Sequence, residues 1–486
     1  MKAWTGGFPF PWSARFCHPA LHDVTYGRAN WVFLCLLGLA YLAAFWSMAV
    51  QIVGLVGKDG ILPATDLMAA ARQFTDARGL SAVGRVLTLP TLCWISASDT
   101  VLHVLCGSGI ALALLLMLGV APIVVLPLLW IDYLSLSVVL RDFLSFQWDS
   151  LLLETGLLAV FVAPVALLEH PRRPVDPSPP ARWLLWWLLF RLTFASGVVK
   201  LASGDPTWHN LTALTFHYET QPLPTPIGWY AHHLPPMLQK ISTALVLTIE
   251  LAVPWLIFMG RRLRLVACGT LAGLQLLIAV TGNYTFFNLL TLALLVLLLD
   301  DGVFRSKPEL AAPVRNRFGF LWRRWAPIGA AVVTLPVSAS ILAGQLGLPL
   351  RASALFGPLE DAVAQFRSVN AYGLFAVMTT TRPEIVVEGS SDGVSWLAYE
   401  FKYKPGDVGR GLPWVAPHQP RLDWQMWFAA LSEYEREPWF ERFCRRLLEG
   451  SPAVLALLAG NPFPREPPRF VRADRKSTRL NSSHRL

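Results

Sequence analysis

Six ionisable side chains stand inside long apolar runs: Asp132, Asp149, Glu154, Arg191, Lys200 and Glu250. A charge in hydrocarbon is costly, so each is a candidate for ligand binding, chemistry or pairing. In the central spans three acids (Asp132, Asp149, Glu154) and two bases (Arg191, Lys200) could nearly neutralise each other. The first reading is therefore cross-helix pairing that fixes packing, the second a polar cavity facing a ligand or partner, and the third catalysis. His103 is a weaker candidate of the same kind. Arg191 and Lys200 are nine residues apart. At about 100° per residue they point to opposite faces of one helix and do not serve one site. Lys200 lies near the end of its run, where it snorkels to the interface or, if buried, acts as a base with a lowered pKa. Glu154 is the acid that would accompany it.

The polar stretch 202–240 is dense in recognition-type residues: Trp208, His217, Tyr218, Glu219 and Gln221, then prolines at 222, 224 and 226. Such prolines favour an extended backbone that costs little entropy to present. The bland reading of Trp208, Trp229 and Tyr230 is an interfacial aromatic belt. His209, His217, His232 and His233 lack HExxH-type spacing, so no metal is expected. Further on, His418, Arg421, Asp423 and Trp424 crowd together. No Ser, Cys or second His completes a nucleophilic triad there, and Asp423 reads as a cap for a Trp-rich helix. The six cysteines are scattered without a CxxC, which argues against zinc and against a redox pair. No Gly-rich phosphate loop occurs. Asn210-Leu-Thr and Asn283-Tyr-Thr are glycosylation sequons, the second too near the bilayer to be a good acceptor.

The elements that position these residues are membrane helices. The chain has 486 residues, 54% hydrophobic and 15% charged, with mean hydropathy +0.46. A soluble domain averages about 25% charged residues. A bilayer span takes about 20 apolar residues. Nine spans are expected, at 31–53, 100–119, 121–140, 148–168, 183–201, 241–259, 263–281, 284–300 and 326–345. The fold class is mostly α: a polytopic bundle over 1–345 with a C-terminal β-rich soluble domain at 346–474. The first apolar run is long enough to span, and no cleavable signal peptide is expected. The net charge of +9 reflects Arg more than Lys. No Lys/Arg cluster is interleaved with aromatics, so nucleic acid is not an expected partner.

Basic residues orient the spans. Arg172, Arg173 and Arg182, then Arg261, Arg262 and Arg264, then Arg305, Lys307, Arg315, Arg317, Arg323 and Arg324 all fall on one side if the N-terminus is cytoplasmic. Loops 54–99 and 202–240 and everything after 346 then face outward. In the C-terminal domain Glu384–Gly389 and Trp396–Tyr403 read as a hairpin around Ser390-Ser-Asp-Gly. Trp424, Trp427, Phe428 and Leu431 recur at helical spacing, and a second helix is expected over 437–449. Residues 475–486 resemble sequencing-adapter read-through and are expected to be a non-native tail in place of a natural C-terminus.

Six runs carry a family resemblance: Ser145-Phe-Gln-Trp-Asp-Ser-Leu-Leu-Leu-Glu-Thr-Gly, Lys200-Leu-Ala-Ser-Gly-Asp-Pro-Thr-Trp, Thr215-Phe-His-Tyr-Glu-Thr-Gln-Pro-Leu-Pro-Thr-Pro, Thr281-Gly-Asn-Tyr-Thr-Phe-Phe-Asn, Asn370-Ala-Tyr-Gly-Leu-Phe-Ala-Val-Met-Thr and Ala416-Pro-His-Gln-Pro-Arg-Leu-Asp-Trp-Gln-Met-Trp. In this order, over about 145–470, they resemble the lipase maturation factor family. The resemblance implies a non-enzymatic membrane protein that helps secreted homodimeric lipases to fold. Its partners would be a secreted lipase or related hydrolase and membrane lipid, with no cofactor. Eukaryotic members reside in the endoplasmic-reticulum membrane. The Arg-rich composition fits a bacterial member, with its outer side in the periplasm and its client open. Client contact is expected at 202–240 and the C-terminal domain, through Trp208, His217, Tyr218, Glu219, Gln221, His418, Arg421, Asp423 and Trp424.

A shorter run, Ser196-Gly-Val-Val-Lys-Leu followed by Trp208, is similar to one in the vitamin K-dependent carboxylase and DoxX-like membrane families. That likeness implies a membrane enzyme or quinone-linked redox protein with Lys200 as base. A transporter site on Asp132, Glu154 and Arg191 is disfavoured, because no internal repeat is visible.

Overall fold

The structure, a computed structural model, describes residues 24–304, 317–348, 352–407 and 409–478. Arg305, Lys307 and Arg315 and most of the expected tail, 479–486, lie outside them. Its principal helices are α1 (Gly27–Ala49), α2 (Ala64–Ala77), α3 (Ala82–Thr88), α4 (Asp99–Met117), α5 (Pro122–Leu140), α6 (Gln147–Val162), α7 (Pro179–Ala202), α8 (Pro236–Ala252), α9 (Arg261–Thr281), α10 (Phe287–Val296), α11 (Arg317–Gln345), α12 (Arg421–Leu431) and α13 (Pro438–Leu448), with further helical segments between, among them Ala213–Thr220, Pro226–His232 and Ala352–Ala364. The strands are β1 (Arg382–Ser390), β2 (Leu397–Ala398) and β3 (Phe470–Thr478).

Among the described residues, seven helices are long and apolar enough to cross a bilayer: α1, α4, α5, α7, α8, α9 and α11. The count of nine is not confirmed by length. The segments expected at 148–168 and 284–300 contain α6, of 16 residues, and α10, of 10. Both are wrapped by neighbours and continue as irregular backbone. Beyond α6, the Ala121 amide donates to Leu167 O at 2.8 Å and the Glu169 amide to Gly119 O at 2.9 Å. The chain thus returns to the α4–α5 turn. Beyond α10, Asp300 meets Arg261 at the start of α9, with Nε–Oδ2 2.5 Å. Non-helical backbone at membrane depth is tolerated where protein, not lipid, surrounds it.

Between apolar helices in lipid, close packing replaces the hydrophobic drive. The α1–α4 seam shows this. Gly109 lies under the Phe45 ring, where a Cβ would sit 2.3 Å from it, and Gly38 faces Met117 and the Ala113 carbonyl. At one end of the bundle Asp301 accepts the Gly27 and Arg28 amides, at 3.0 and 2.9 Å, and the Thr25 hydroxyl at 2.7 Å. A carboxylate there complements the positive end of α1. Arg264 donates to Tyr26 Oη at 2.8 Å, and Arg323 donates to the Asp176 carbonyl. The basic segments before α7, α9 and α11 therefore converge on the end where α1 begins. Loops 54–99 and 202–240 and the C-terminal domain meet at the opposite end.

The C-terminal sheet is antiparallel in the order β2-β1-β3, with Ile385 opposite Arg475 and Glu388 opposite Ala398. The hairpin forms, but β2 is two residues long. The chain leaves β1 because the Tyr403 and Lys404 amides donate instead to Asp423 Oδ1, both at 2.8 Å. Asp423 is therefore a brace on a neighbouring loop and does not cap α12, whose N-cap, Pro420, has no side-chain bond. β3 includes Arg475–Thr478, the first residues of the expected tail.

Gly109→Val is expected to force Phe45 from its site and to lower thermal stability by about 1–3 kcal/mol, read as an earlier unfolding transition in detergent.

Candidate functional site

Nearly every polar group that the sequence placed in the bundle serves one end of it. The Arg421 guanidinium of α12 reaches into the bundle and forks onto Asp149 of α6. Nη2–Oδ1 is 2.9 Å and Nη1–Oδ2 3.1 Å, with both side chains wholly buried. Nη1 also donates to Phe143 O at 2.6 Å, and Tyr133 donates its hydroxyl to Asp149 Oδ1 at 2.5 Å. The Arg421 amide donates to Gln51 Oε1 at 2.9 Å. Two positions earlier, Gln419 accepts the Trp148 indole N–H at 2.7 Å, and its own amide donates to Ser47 at 2.9 Å. Ser47 also meets His418 Nδ1 at 3.0 Å. A planar fork on a carboxylate is the geometry for which Arg suits a buried pair.

Of the other intramembrane charges, Glu154 and Arg191 pair with each other, as do Lys200 and Glu250. Glu154 takes Arg191 on one oxygen. On the other it takes the Asn370 amide at 3.0 Å, the Asn370 side chain at 3.1 Å and the Tyr372 hydroxyl at 2.7 Å. Lys200 donates to both oxygens of Glu250, at 2.7 and 2.9 Å, and to Ser196 O, and its ammonium lies 5.3 Å from the Trp208 ring centroid. Asp132 accepts from Ser108 at 2.8 Å. His103 is exposed on α4. Arg191 and Lys200 belong to separate networks, as their spacing requires. Glu154 and Lys200 are not brought together either, so the acid–base pair of the enzyme reading does not assemble here.

The loop 202–240 is folded against the C-terminal domain. The Trp208 indole donates to Phe375 O at 3.0 Å, and Asp205 accepts the Met378 amide at 2.5 Å. Arg382 of β1 donates to the carbonyls of Glu219, Gln221 and Pro222 at 2.7, 2.6 and 3.2 Å. The Trp427 indole donates to Thr220 O at 2.8 Å. Asn283, in the buried turn before α10, donates to Leu223 O and Pro413 O and accepts the Val415 and Ala416 amides. Its amide is thus fully engaged and unavailable to a glycan, whereas Asn210 is exposed. Of the nine expected contact residues, Trp208, Gln221, Arg421, Asp423 and Trp424 are buried, and His217, Tyr218, Glu219 and His418 are half-buried. The bracing roles of Asn283, Asn370, Tyr372, Arg382 and Gln419 were not singled out in the sequence. Four of them stand inside the motif runs, which is the signal that could have found them.

Between this clasp and solvent lies a half-open cavity of about 560 Å3. Phe146, Tyr284, Phe375, Trp424, Trp427 and Phe428 supply its aromatic wall, with Gln147, Gln425 and Glu437 among its polar groups. Val377 and Phe428 of this lining are exposed, as are Trp414 and Tyr434 nearby in the chain. No cluster of His, Cys, Asp or Glu suited to a metal occurs among the described residues.

Burial, aided by Lys200, pushes His217 down to about 4, and burial, aided by Arg421 and Lys402, does the same to His418. Burial alone would raise Glu384, but Arg382 and Lys404 outweigh it and hold the carboxyl below its usual range. Both histidines are neutral in the folded protein near pH 7. The unfolded chain binds more protons than the folded one between about 6.5 and 4, so folding stability is full above that window and falls as pH drops through it. Thermal unfolding followed from pH 8 to 4 should show this loss, and His217→Gln together with His418→Gln should flatten it. Lys200→Met strands a buried carboxylate and should cost about 3–5 kcal/mol. Adding Glu250→Leu should restore most of that in the same melting assay, which loss of a catalytic base would not do.

A family model described as the lipase maturation factor transmembrane domain matches residues 28–306, and one described as the lipase maturation factor C-terminal domain matches residues 368–483. The chain is 38% identical to lipase maturation factor 2 of Gallus gallus, over 92% of this chain and 77% of that protein. It is 38% identical to lipase maturation factor 2 of Homo sapiens, over 91% and 78%, and 34% identical to lipase maturation factor 1 of Homo sapiens, over 93% and 83%. No solved structure matches. With both domain models matched in order and such identity over nine-tenths of its length, the chain belongs to the lipase maturation factor family.

Proposed function

We propose that this protein is an integral-membrane maturation factor for secreted lipases or related hydrolases, and that it works by holding a client at the clasped end of the bundle. The observation that carries the reading is the aromatic cavity at the junction of bundle, loop 202–240 and C-terminal domain, in a chain of this family. Contiguous exposed apolar surface on a soluble face marks an interaction site. A partly folded hydrolase exposes such surface, and its native form buries it. Differential affinity for the two states is enough to favour maturation, without bond chemistry.

In this reading the client touches Val377, Phe428 and the half-buried His217, Tyr218, Glu219 and His418. The buried Trp208, Gln221, Arg421, Asp423 and Trp424 act by fixing the surface beneath. The outer end faces the extracytoplasmic side, the periplasm in a bacterial cell, as the basic loops at the other end favour. Surrounding lipid is the other partner, and nucleic acid is not one. The paired state of Lys200 and Glu154 favours a non-enzymatic role.

Val377→Asp combined with Phe428→Asp alters exposed positions and should leave the amount of protein in the membrane unchanged. In cells lacking their own maturation factor and expressing a secreted homodimeric lipase, the pair should lower both active secreted lipase and co-purified lipase severalfold. Unchanged lipase activity with intact co-purification would rule out this surface.

A further inference from the structure

The outer loop 54–99 carries an apolar face that the client reading does not use. On α3, Val83, Val86 and Leu87 recur at i, i+3 and i+4, and no residue of that helix is buried. Phe74 of α2 and Leu92 and Ile95, which follow α3, are exposed as well, Ile95 at 84%. The polar groups turn the other way: Arg85 pairs with Asp76 at 2.8 Å, and Arg72 donates to Trp94 O at 3.2 Å.

Two hydrogen bonds fix the depth of this face. Thr91 donates its hydroxyl to Ser135 O at 3.0 Å, and the Leu92 amide donates to Ser135 Oγ at 3.0 Å. Ser135 stands five residues before Leu140, the outer end of α5. At 1.5 Å per residue, Leu92 lies about 7 Å below that end. The chain then climbs to Asp99, where α4 begins. One turn deeper on α5 is Ile131, exposed on the flank of the bundle, with Leu128 beyond it and Val104 on α4. These are lipid-facing side chains of spanning helices, and the α3 face continues their surface outward. The irregular backbone at this depth is compatible with lipid, because Thr91 and Cys93 are buried against the bundle and Trp94 donates its indole N–H to Leu89 O.

We propose that residues 82–95 form a re-entrant segment immersed in the outer leaflet, with Val83, Val86, Leu87, Leu92 and Ile95 in contact with lipid and Arg72 and Arg85 at headgroup level. An amphipathic helix with basic residues on its polar side binds a bilayer in this way. The immersion has a structural consequence. The same loop carries Asp59 and Gly60, whose carbonyls accept from Ser451 at 2.7 Å and Arg446 at 2.9 Å in the C-terminal domain. Lipid contact at one end of the loop therefore sets the height of the C-terminal domain above the membrane at the other.

The test is nitroxide accessibility in the full-length protein, held in nanodiscs of phosphatidylcholine and phosphatidylglycerol. Spin labels are placed at Val86→Cys, Val83→Cys and Leu92→Cys. Val104→Cys serves as the lipid reference and Gln73→Cys as the water reference, and the signal of the unsubstituted chain is subtracted. Collision with oxygen relative to a water-soluble nickel chelate should match Val104 and exceed Gln73 severalfold at all three positions. Nickel access equal to Gln73 would overturn the proposal. Exclusion of both reagents would also overturn it, because a second copy or another protein would then cover the face.

Discussion

A guanidinium buried in a protein interior calls for a carboxylate, and here the two partners come from different domains. Arg421 belongs to the C-terminal domain and Asp149 to the bundle, 272 residues earlier. Neither is stable alone at that site, since leaving one of a buried pair uncompensated costs several kcal/mol. The pair therefore makes correct seating of the domain a condition of the fold. Such a pair adds little net stability compared with an apolar replacement. Its effect is on placement: the fork accepts one orientation of α12, and Tyr133, Phe143 O and Gln51 fix the rest.

The remaining polar groups repeat this logic at intervals across the junction. Glu154 and Arg191 hold Asn370 and Tyr372, Asn283 holds 413–416, Arg382 holds the carbonyls of 219–222, and Asp205 and Trp208 hold 375–378. Bundle, outer loop and C-terminal domain are thus joined by hydrogen bonds into one platform, and the aromatic cavity opens on it. If the proposed client docks there, bracing of this kind limits the binding energy spent on ordering the surface.

Much of this was legible in the sequence, and the gaps have physical causes. The apolar runs marked the helices, and the mixed acids and bases pointed to pairing, which Asp149, Glu154, Arg191, Lys200 and Glu250 show and Asp132, bonded to Ser108, does not. The opposed faces of Arg191 and Lys200 followed from helical geometry alone. Which acid meets which base did not follow, because Asp149 finds its partner across the whole chain. The segments 148–168 and 284–300 are apolar enough on average to read as spans, and mean apolarity does not reveal where a helix ends inside protein, although Pro164 follows the end of α6 closely. Trp208 and Gln221 of the outer loop and Trp424 of α12 stand buried at the junction, a role their residue types did not announce. Aromatic and amide side chains look alike in a sequence whether they greet a partner or brace a junction. Asp423 could be read as a cap from its local position, but its acceptors serve a loop twenty residues back.

The buried Arg421–Asp149 fork seats the C-terminal domain on the bundle. The direct measurement is a double-mutant cycle of Arg421→Met and Asp149→Leu in nanodiscs, read by melting and by protease cleavage between the bundle and β1. Each single variant should melt earlier and admit cleavage, and the double variant should recover most of both. Losses that simply add, with the double variant worst, would show that the two residues act independently and would contradict the account.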